Sequence, residues 1–356
     1  MKKILVVDDS ALMRSVLCDI INKDGRFQVE DKATNGLEAL DRLSKKSYDA
    51  VVLDVNMPKM NGLELLKELQ KRKIPAKVLM ASTDTREGAQ TTLDALELGA
   101  LDFVHKPDNV AECRKDVFKE NFIEILNAVS ESKPPAFTNA FSREDMNKAK
   151  KVVELVSRHA GKVAGNKVVA IASSTGGPKA LQSVIPKLPA KLNAPVVIVQ
   201  HMPAGFTASL SERLNSLSEI NVKEAAEGDV LEKGTVYIAM GGKHMNIRTS
   251  GGRHTIYYSD EPTREGVKPC ANYMYESLSS SKFDEVVCVV MTGMGADGTK
   301  GITYLKDKKK VHVIAQNEES CAVFGMPKNI VNSGLANQEI ALEQIAQEII
   351  INVGVV

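Results

Sequence analysis

KVVAIASSTGGP, Lys167–Pro178, carries the strongest fold signal in the second half of this chain. A β-branched apolar run ends abruptly there at small hydroxyl residues and two glycines. This change predicts a buried strand that turns tightly into a helix. Ser174 then lies at the carboxyl end of the strand, near the first N–H groups of the helix, which stabilise negative charge. The position suits a nucleophile, although a serine there also serves as a helix cap or in a phosphate-binding loop.

Two later stretches repeat the pattern, and each delivers one polar side chain. PVVIVQ, residues 195–200, is followed by His201. VVCVVM, residues 286–291, runs into TGMGADG, which carries Asp297. In open α/β sheets the carboxyl ends of the strands are where ligands bind and chemistry takes place. We therefore expect all three polar side chains at one edge of a parallel sheet.

These three residue types suggest acyl transfer. A serine hydroxyl is too weak a nucleophile at neutral pH without a base, and histidine is suited to that role. We predict Ser174 as nucleophile, His201 as base and Asp297 as the acid that orients the imidazole. Oxyanion donors are expected near Thr175 or in the loop 293–295. The alternatives are a loop histidine bonded to backbone and an ordinary turn aspartate. The order of the three residues and the lack of a G-x-S-x-G motif exclude the α/β-hydrolase pattern.

The composition is that of a globular chain with about two or three domains. Its 356 residues are 43% hydrophobic and 26% charged, with a formal net charge of +1, and domains average roughly 150 residues. The balanced charge argues against a protein that coats nucleic acid or an anionic membrane. The five cysteines are scattered and never form C-x-x-C, which indicates reduced thiols. No apolar run approaches the roughly 18 residues of a membrane span, so we expect a soluble, cytoplasmic protein without membrane insertion.

The N-terminal third repeats a strand–helix pattern, and its strands also end in polar residues. Those strands end at Asp8 and Asp9, at Asp54, near Ser82 and at Lys106. Short connections imply a parallel sheet with right-handed crossovers. Three carboxylates at one edge repel one another unless a cation joins them, and Mg²⁺ prefers oxygen ligands. With a lysine nearby, such a site suits an aspartate that accepts a phosphoryl group. The alternative is a helix cap beside a surface lysine.

The motifs LVVDDS, VVLDVNMPKMNG, KVLMAST and LDFVHKP resemble the receiver domain of bacterial two-component response regulators, over residues 1–125. The resemblance implies a doubly wound, flavodoxin-like domain with five parallel strands. It implies that Asp54 is the phosphoacceptor and that a partner histidine kinase is the phosphodonor. The further residues it implies are the Mg²⁺ ligands Asp8, Asp9, Asp54 and the backbone of Asn56, the phosphoryl-sensing Ser82 and Lys106, and the switch aromatic Phe103.

Residues 126–165 are expected to form a linker, because the regular pattern breaks there. SKPP at 132–135 and the polar stretch 138–145 interrupt regular structure, and 146–158 predicts one short helix. A tether permits two rigid bodies to dock and separate, and a passive spacer explains the stretch equally well. From residue 166 to residue 356 the pattern is α/β again.

This second domain resembles the catalytic domain of CheB-type chemotaxis methylesterases, through AIASSTGGP, VQHMPAGFT, VYIAMGGKHM, VMTGMGADG and FGMPKNIV. The resemblance implies a doubly wound, mostly parallel α/β domain that hydrolyses glutamate γ-methyl esters on methyl-accepting chemoreceptors and deamidates glutamines. The resemblance also implies that ester hydrolysis needs no cofactor, and that Mg²⁺ serves the phosphorylation of the receiver domain. The implied phosphodonor is the kinase CheA, and the implied place of action is the chemoreceptor array. The implied site residues are Ser174, His201 and Asp297, with Thr175 and Met294 at the oxyanion region.

Three positions depart from the family pattern. Ser173 stands where alanine is usual, Met240 replaces a proline, and KPCAN ends in Asn272 where an aspartate is usual. Ser173 leaves open which serine attacks, and Asn272 leaves open the details of the substrate loop.

Two other classes of protein compete with an esterase. A DNA-binding response regulator needs a helix-turn-helix and a basic face, which residues 166–350 do not predict. A non-enzymatic adaptor that kept the fold is the other alternative. Our interpretation is an enzyme in which phosphorylation of Asp54 relieves a docked arrangement, with the receiver covering the Ser174 cleft.

Overall fold

The computed structural model describes residues 1–82, 86–107, 109–113, 115–134 and 165–356. The chain forms two compact units, Met1–Ala140 and Phe141–Val356. The helix expected within residues 146–158 lies outside the described residues. Within the described ranges, no helix is both long enough and apolar enough to cross a membrane.

The first unit is a parallel sheet of five strands with helices between them. The strand order is β2-β1-β3-β4-β5, and every neighbouring pair is parallel. This confirms the doubly wound receiver topology. The strands are β1 (Lys2–Val7), β2 (Phe27–Ala33), β3 (Ala50–Asp54), β4 (Val78–Ser82) and β5 (Asp102–His105). The helices are α1 (Ala11–Lys23), α2 (Gly36–Lys45), α3 (Gly62–Arg72), α4 (Arg86–Glu97), α5 (Val110–Cys113) and α6 (Asp116–Glu131), the last of which continues past residue 125.

Local sequence fixes where β1 and β3 stop. Asp8 follows β1 and accepts the N–H of Ser10 at 2.9 Å, and Ser10 then caps α1. β3 is buried throughout and ends at Asp54. Asn61 and Glu64 form a capping box that begins α3. The caps hold each helix start next to a strand end, so the aspartates stay at the sheet edge.

The second unit is a seven-stranded parallel sheet with an attached hairpin. The order is β14-β13-β12-β6-β7-β9-β8, with all pairs parallel, and β10 and β11 are antiparallel. The predicted mostly parallel α/β class is confirmed. The strands are β6 (Lys167–Ser173), β7 (Val196–Gln200), β8 (Asn221–Glu224), β9 (Thr235–Ile238), β10 (His244–Ser250), β11 (Arg253–Ser259), β12 (Glu285–Val290), β13 (Lys310–Gln316) and β14 (Gln338–Ile340). The helices are α7 (Gly177–Val184), α8 (Phe206–Leu217), α9 (Ala271–Leu278), α10 (Thr299–Lys306), α11 (Met326–Asn332) and α12 (Leu342–Val353), with a 3₁₀ turn at Ile185–Lys187.

The strand order reverses at β6, which opens a crevice at the carboxyl ends of the central strands. From β6 the sheet continues through β7 and β9 to one side and through β12 and β13 to the other. Open α/β sheets bind ligands at such a reversal. β6, β7 and β12 are almost entirely buried. Burial on both faces explains why their sequences are continuous apolar runs.

Candidate active site and phosphoacceptor site

The backbone brings the ends of β6, β7 and β12 together. Ser173 pairs with Gln200 across β6 and β7, and the N–H of His201 donates to the carbonyl of Ser173 at 3.1 Å. On the other side, the N–H of Ser174 donates to the carbonyl of Thr292 at 3.0 Å. Ser174 therefore stands between the residue that follows β7 and the loop that follows β12.

The two adjacent serines differ in burial and in hydrogen bonding. Ser173 is fully buried, and its hydroxyl donates to Oε1 of Gln200 at 2.7 Å. The amide of Gln200 donates in turn to the carbonyl oxygens of Ser174 at 3.0 Å and His201 at 3.2 Å. Ser174 is only half-buried, and its hydroxyl makes no hydrogen bond to another described residue. Ser174 is thus the serine whose hydroxyl is free to react.

His201 and Asp297 form a close, buried pair. Nε2 of His201 lies 2.8 Å from Oδ2 of Asp297, and the two side chains are 9% and 2% exposed. An ionised carboxylate only accepts hydrogen bonds, so Nε2 carries a proton. Nδ1 of His201 is then the unprotonated nitrogen, and it is buried without a partner among the described residues. Asp297 therefore fixes the tautomer that takes a proton through Nδ1.

Asp297 is held by donors from the start of helix α9 and from its own loop. Its carboxylate accepts the N–H groups of Ala271 (2.6 Å), Asn272 (2.9 Å) and Gly298 (2.8 Å) and the thiol of Cys270 (3.1 Å). Burial acts to raise the pKa of Asp297, but the imidazole and these donors outweigh burial and lower the pKa below its ordinary value. The N-terminal end of α9 favours negative charge in the same sense. Asp297 therefore stays ionised and is able to stabilise an imidazolium.

Backbone donors for an oxyanion lie in the two segments that flank Ser174. The hydroxyl of Thr292 donates to the carbonyl of Thr175 at 2.9 Å, which ties the turn after β6 to the loop after β12. Neither the N–H of Thr175 nor that of Met294 is paired with another described residue. Gly293 lies directly against Ser174, since a Cβ at this glycine would come within 2.7 Å of the serine Cβ. Unpaired N–H groups next to a free hydroxyl are what an oxyanion site requires.

In the first unit, three carboxylates and one ammonium group converge at the sheet edge. Asp8, Asp9 and Asp54 each place a carboxylate oxygen within 4.8 Å of the other two. Nζ of Lys106 lies 3.1 Å from Asp8 and 2.8 Å from Asp54. Burial raises the pKa of Asp54 above its ordinary value, and Lys106 offsets burial only in part. Burial lowers the pKa of Lys106, but attraction to the two carboxylates outweighs it, so the net shift is upward.

This edge fits a hard divalent cation such as Mg²⁺. The three carboxylates offer oxygen ligands, and they face the single ammonium group of Lys106 among the described residues at this edge, so a cation would offset the remaining negative charge. The carbonyl of the exposed Asn56 accepts no hydrogen bond from a described residue, so it is free to serve as a ligand. At the next strand ends, the carbonyl of Ser82 accepts the N–H of Lys106 at 2.6 Å. Phe103 is buried within β5.

Comparison with known proteins identifies the family. The family described as CheB methylesterase matches residues 169–349, and the response regulator receiver domain matches residues 4–118. The chain is 42% identical over 349 residues to the protein-glutamate methylesterase/protein-glutamine glutaminase of Bacillus licheniformis, covering 98% of each chain. This chain belongs to the CheB methylesterase family. A protein of the same name from Bacillus subtilis is 42% identical over 353 residues, again covering 98% of each chain.

A solved CheB structure supports the same assignment for the second unit. The catalytic domain of Thermotoga maritima CheB methylesterase is 39% identical to this chain, with a TM-score of 0.51. The match covers 52% of this chain and 98% of the solved one. The second unit therefore has the fold of a CheB catalytic domain.

Two of the departures from the CheB pattern have structural roles of their own. The N–H of Met240, which a proline would lack, donates to the hydroxyl of Tyr258 at 3.0 Å. Oδ1 of Asn272 accepts the N–H groups of Gly298 at 3.2 Å and Gly301 at 2.6 Å. Asn272 therefore holds the loop that follows Asp297.

Two residues of this site, Gln200 and Cys270, were not predicted from the sequence. Gln200 joins Ser173 to the carbonyl groups of Ser174 and His201. A glutamine at the end of the otherwise apolar run PVVIVQ is the signal that could have revealed it. Cys270 contacts Asp297, which lies 27 positions later in the sequence, and no pattern in KPCAN predicts that contact.

Proposed function

We propose that this chain is a protein-glutamate methylesterase and protein-glutamine glutaminase that acts on methyl-accepting chemoreceptors by a Ser-His-Asp mechanism. The observation that carries the proposal is the buried His201–Asp297 pair with its unpartnered Nδ1. The free hydroxyl of Ser174 belongs to the same sheet edge, where the N–H of His201 donates to the carbonyl of Ser173. A hydroxyl, a base and an ionised carboxylate at one sheet edge are the parts that acyl transfer requires. The names of the Bacillus relatives supply the substrate class.

The proposed reaction has two acyl-transfer steps. Oγ of Ser174 attacks the ester carbonyl carbon while its proton passes to Nδ1 of His201, and Asp297 stabilises the imidazolium. The oxyanion accepts hydrogen bonds from the N–H groups of Thr175 and Met294. The bond to the methoxy oxygen then breaks, and His201 gives its proton to the departing methanol. Water attacks the acyl-enzyme by the same proton path, which frees the glutamate and restores the serine. For a glutamine substrate the leaving group is ammonia.

In the receiver unit we assign the phosphoacceptor role to Asp54. Mg²⁺, when bound by Asp8, Asp9, Asp54 and the Asn56 carbonyl, offsets negative charge on the transferring phosphoryl oxygens. The ammonium group of Lys106, 2.8 Å from Asp54, is positioned to pair with the phosphoryl group once it is attached. Ser82 ends the neighbouring strand and offers a hydroxyl. The phosphodonor in this proposal is the chemotaxis histidine kinase CheA.

We further propose that phosphorylation of Asp54 raises hydrolysis at Ser174 by shifting the chain from a docked, inhibited state to an open one. Two complete sites on one chain motivate this proposal. For activation of about tenfold to hundredfold, the docked state need be favoured by only about 1.4–3 kcal/mol. Equal open populations before and after phosphorylation would refute it. The enzyme would work in the cytoplasm, at membrane chemoreceptor arrays.

The test is methanol release from methyl-esterified chemoreceptor, with and without Mg²⁺ plus acetyl phosphate. We expect release to rise with the phosphodonor and to vanish in the Ser174→Ala variant. The Asp54→Asn variant should keep basal release and lose the rise. Ser173→Ala is the matched control, because it removes the adjacent hydroxyl and leaves Ser174 in place.

Two results would count against the proposal. A folded protein that releases no methanol under any condition would refute the esterase and favour a non-enzymatic adaptor. Loss of methanol release in Ser173→Ala, with release retained in Ser174→Ala, would show that Ser173 and not Ser174 is the nucleophile.

A further inference from the structure

Cys270 is a buried side chain in direct contact with the orienting aspartate. It is 0% exposed and stands immediately before helix α9, as its N-cap residue. Its Sγ lies 3.1 Å from Oδ1 of Asp297. Since an ionised carboxylate only accepts, the thiol is the donor in this contact.

The thiol and the imidazole bind opposite oxygens of the same carboxylate. Oδ2 of Asp297 accepts from Nε2 of His201 and from the N–H of Ala271. Oδ1 accepts from the thiol and from the N–H groups of Asn272 and Gly298. Among the described residues, Cys270 and His201 are the side-chain donors to this carboxylate. The other donors are backbone groups, which a substitution leaves in place.

We propose that Cys270 is a positioning residue of the catalytic triad, whose thiol holds Asp297 by Oδ1 and thereby sets how strongly Oδ2 attracts a proton on His201. This inference rests on the proposed esterase function. A donor at Oδ1 draws negative charge away from Oδ2, so the imidazolium is stabilised less. The stronger the donor at position 270, the weaker the hold of the carboxylate on the imidazolium.

The thiol stays protonated under working conditions. Burial raises the pKa of Cys270, and the neighbouring Asp297 carboxylate raises it further, because a thiolate there would face a like charge. A thiol is a weak donor and a hydroxyl is a stronger one. Alanine, cysteine and serine at this position therefore form a series of increasing donor strength.

Other titratable side chains lie near this group, and none of them is substituted in the alanine, cysteine and serine series. Nδ1 of His244 accepts the N–H of Cys270 at 3.2 Å, and burial lowers the pKa of His244. Arg264 is paired to Glu276 at 2.8 Å. Tyr275 is fully buried near Asp297. A difference in pH dependence among these three proteins is therefore caused by the residue at position 270.

The experiment uses the full-length chain with Cys270→Ala and Cys270→Ser. The matched control is Cys288→Ala, because Cys288 is also fully buried but lies within β12. Two quantities are measured: the pH dependence of kcat for methanol release, and the NMR titration of the His201 ring. We expect both midpoints to move up in Cys270→Ala and down in Cys270→Ser. On the acid limb this means about a twofold to tenfold lower kcat for alanine and a higher one for serine.

Equal midpoints in the wild type and both Cys270 variants would overturn the inference, even if the variants were less stable. A shift of the same size in Cys288→Ala would overturn it as well. If Cys270→Ala does not fold, Cys270→Ser against wild type still decides, since a shift upward or no shift contradicts the proposal. The NMR titration needs no turnover. Absence of methanol release from the wild type would therefore refute the esterase proposal separately from the role of Cys270.

Discussion

Replacing Asp297 by asparagine tests the proposed triad at its most constrained point. The carboxylate receives donors at both oxygens: the imidazole and the Ala271 N–H at Oδ2, and the thiol of Cys270 with two N–H groups at Oδ1. An asparagine keeps one acceptor oxygen and adds two N–H donors. Its oxygen is best placed at Oδ1, where more donors converge. Its amide nitrogen then faces the N–H of Ala271 and Nε2 of His201.

The substitution should lower both kcat and the stability of the protein. Nε2 of His201 must then accept a hydrogen bond from the new amide, so the ring proton moves to Nδ1, the atom that should receive the proton of Ser174. The corresponding substitution in serine proteases lowers kcat by about 10⁴, which is about 5.5 kcal/mol in activation free energy. The N–H of Ala271 loses its acceptor, at a cost of about 1–3 kcal/mol in stability. For a domain of this size each kcal/mol lowers Tm by about 2–4 °C.

The assay is the initial rate of methanol release, with Tm measured by calorimetry on the same samples. The matched control is Asp284→Asn, because Asp284 also accepts a backbone N–H, from Asn166 at 2.6 Å, but is exposed and lies just before β12, at the amino end of the strand. We expect the control to keep its rate. A folded Asp297→Asn protein with kcat within about tenfold of wild type would refute the assigned tautomer and the role of the carboxylate.

Three further predictions concern single side chains. Ser173→Ala should lower the free energy of unfolding by about 1–3 kcal/mol, because Gln200 loses its hydrogen-bond donor, and kcat should stay within about tenfold of wild type. Calorimetry and initial rates test this, and an unchanged Tm would contradict the Ser173–Gln200 hydrogen bond. Gly293→Ala places a Cβ 2.5 Å from Sδ of Met326 and 2.7 Å from the Cβ of Ser174. The proposed role of Ser174 then predicts that kcat falls about hundredfold, and an unaltered rate would contradict that packing. Asp54→Asn should raise the receiver Tm in metal-free buffer. The folded pKa of Asp54 is raised, so the folded state keeps its proton to higher pH than the unfolded chain, and stability falls as pH rises through the folded pKa. The gain in Tm should therefore be larger at pH 7 than at pH 5, and a gain independent of pH would contradict it.

The long buried strands could be predicted from the sequence, whereas β10, the first strand of the hairpin, could not. β6, β7 and β12 are buried on both faces and so carry runs that differ from their surroundings. β10, HMNIRTS, is buried only in its first half and has no such run. The glycine pair between β10 and β11 is a turn signal in the sequence. In the structure Gly251 and Gly252 both have positive φ, as tight hairpin turns need. The strand itself depends on pairing with β11.

The candidate site likewise has a part that could be predicted from the sequence and a part that could not. Ser174, His201 and Asp297 follow strand ends, and parallel strands bring their carboxyl ends to one edge, so sequence order alone suggested their proximity. Contacts made by α9 depend on how that helix packs, which no local pattern encodes. The choice between the two serines also needed the structure. Ser173 is the last residue of β6 and points into the core, and only its bond to Gln200 shows that its hydroxyl is already used.

The second unit balances the negative charge at its sheet edge with its own hydrogen-bond donors, whereas the first unit does so only in part. Asp297 is one carboxylate with five hydrogen-bond donors and a lowered pKa, so its charge is balanced by the chain itself. Asp54 shares its edge with Asp8 and Asp9, has a raised pKa, and is balanced only in part by Lys106. Chelation by EDTA should therefore abolish the response of methanol release to acetyl phosphate and leave the basal rate unchanged. Restoring Mg²⁺ should restore the response. A basal rate that falls with EDTA would show that hydrolysis itself needs a metal, and a response that survives EDTA would show that Lys106 balances the Asp54 site without one.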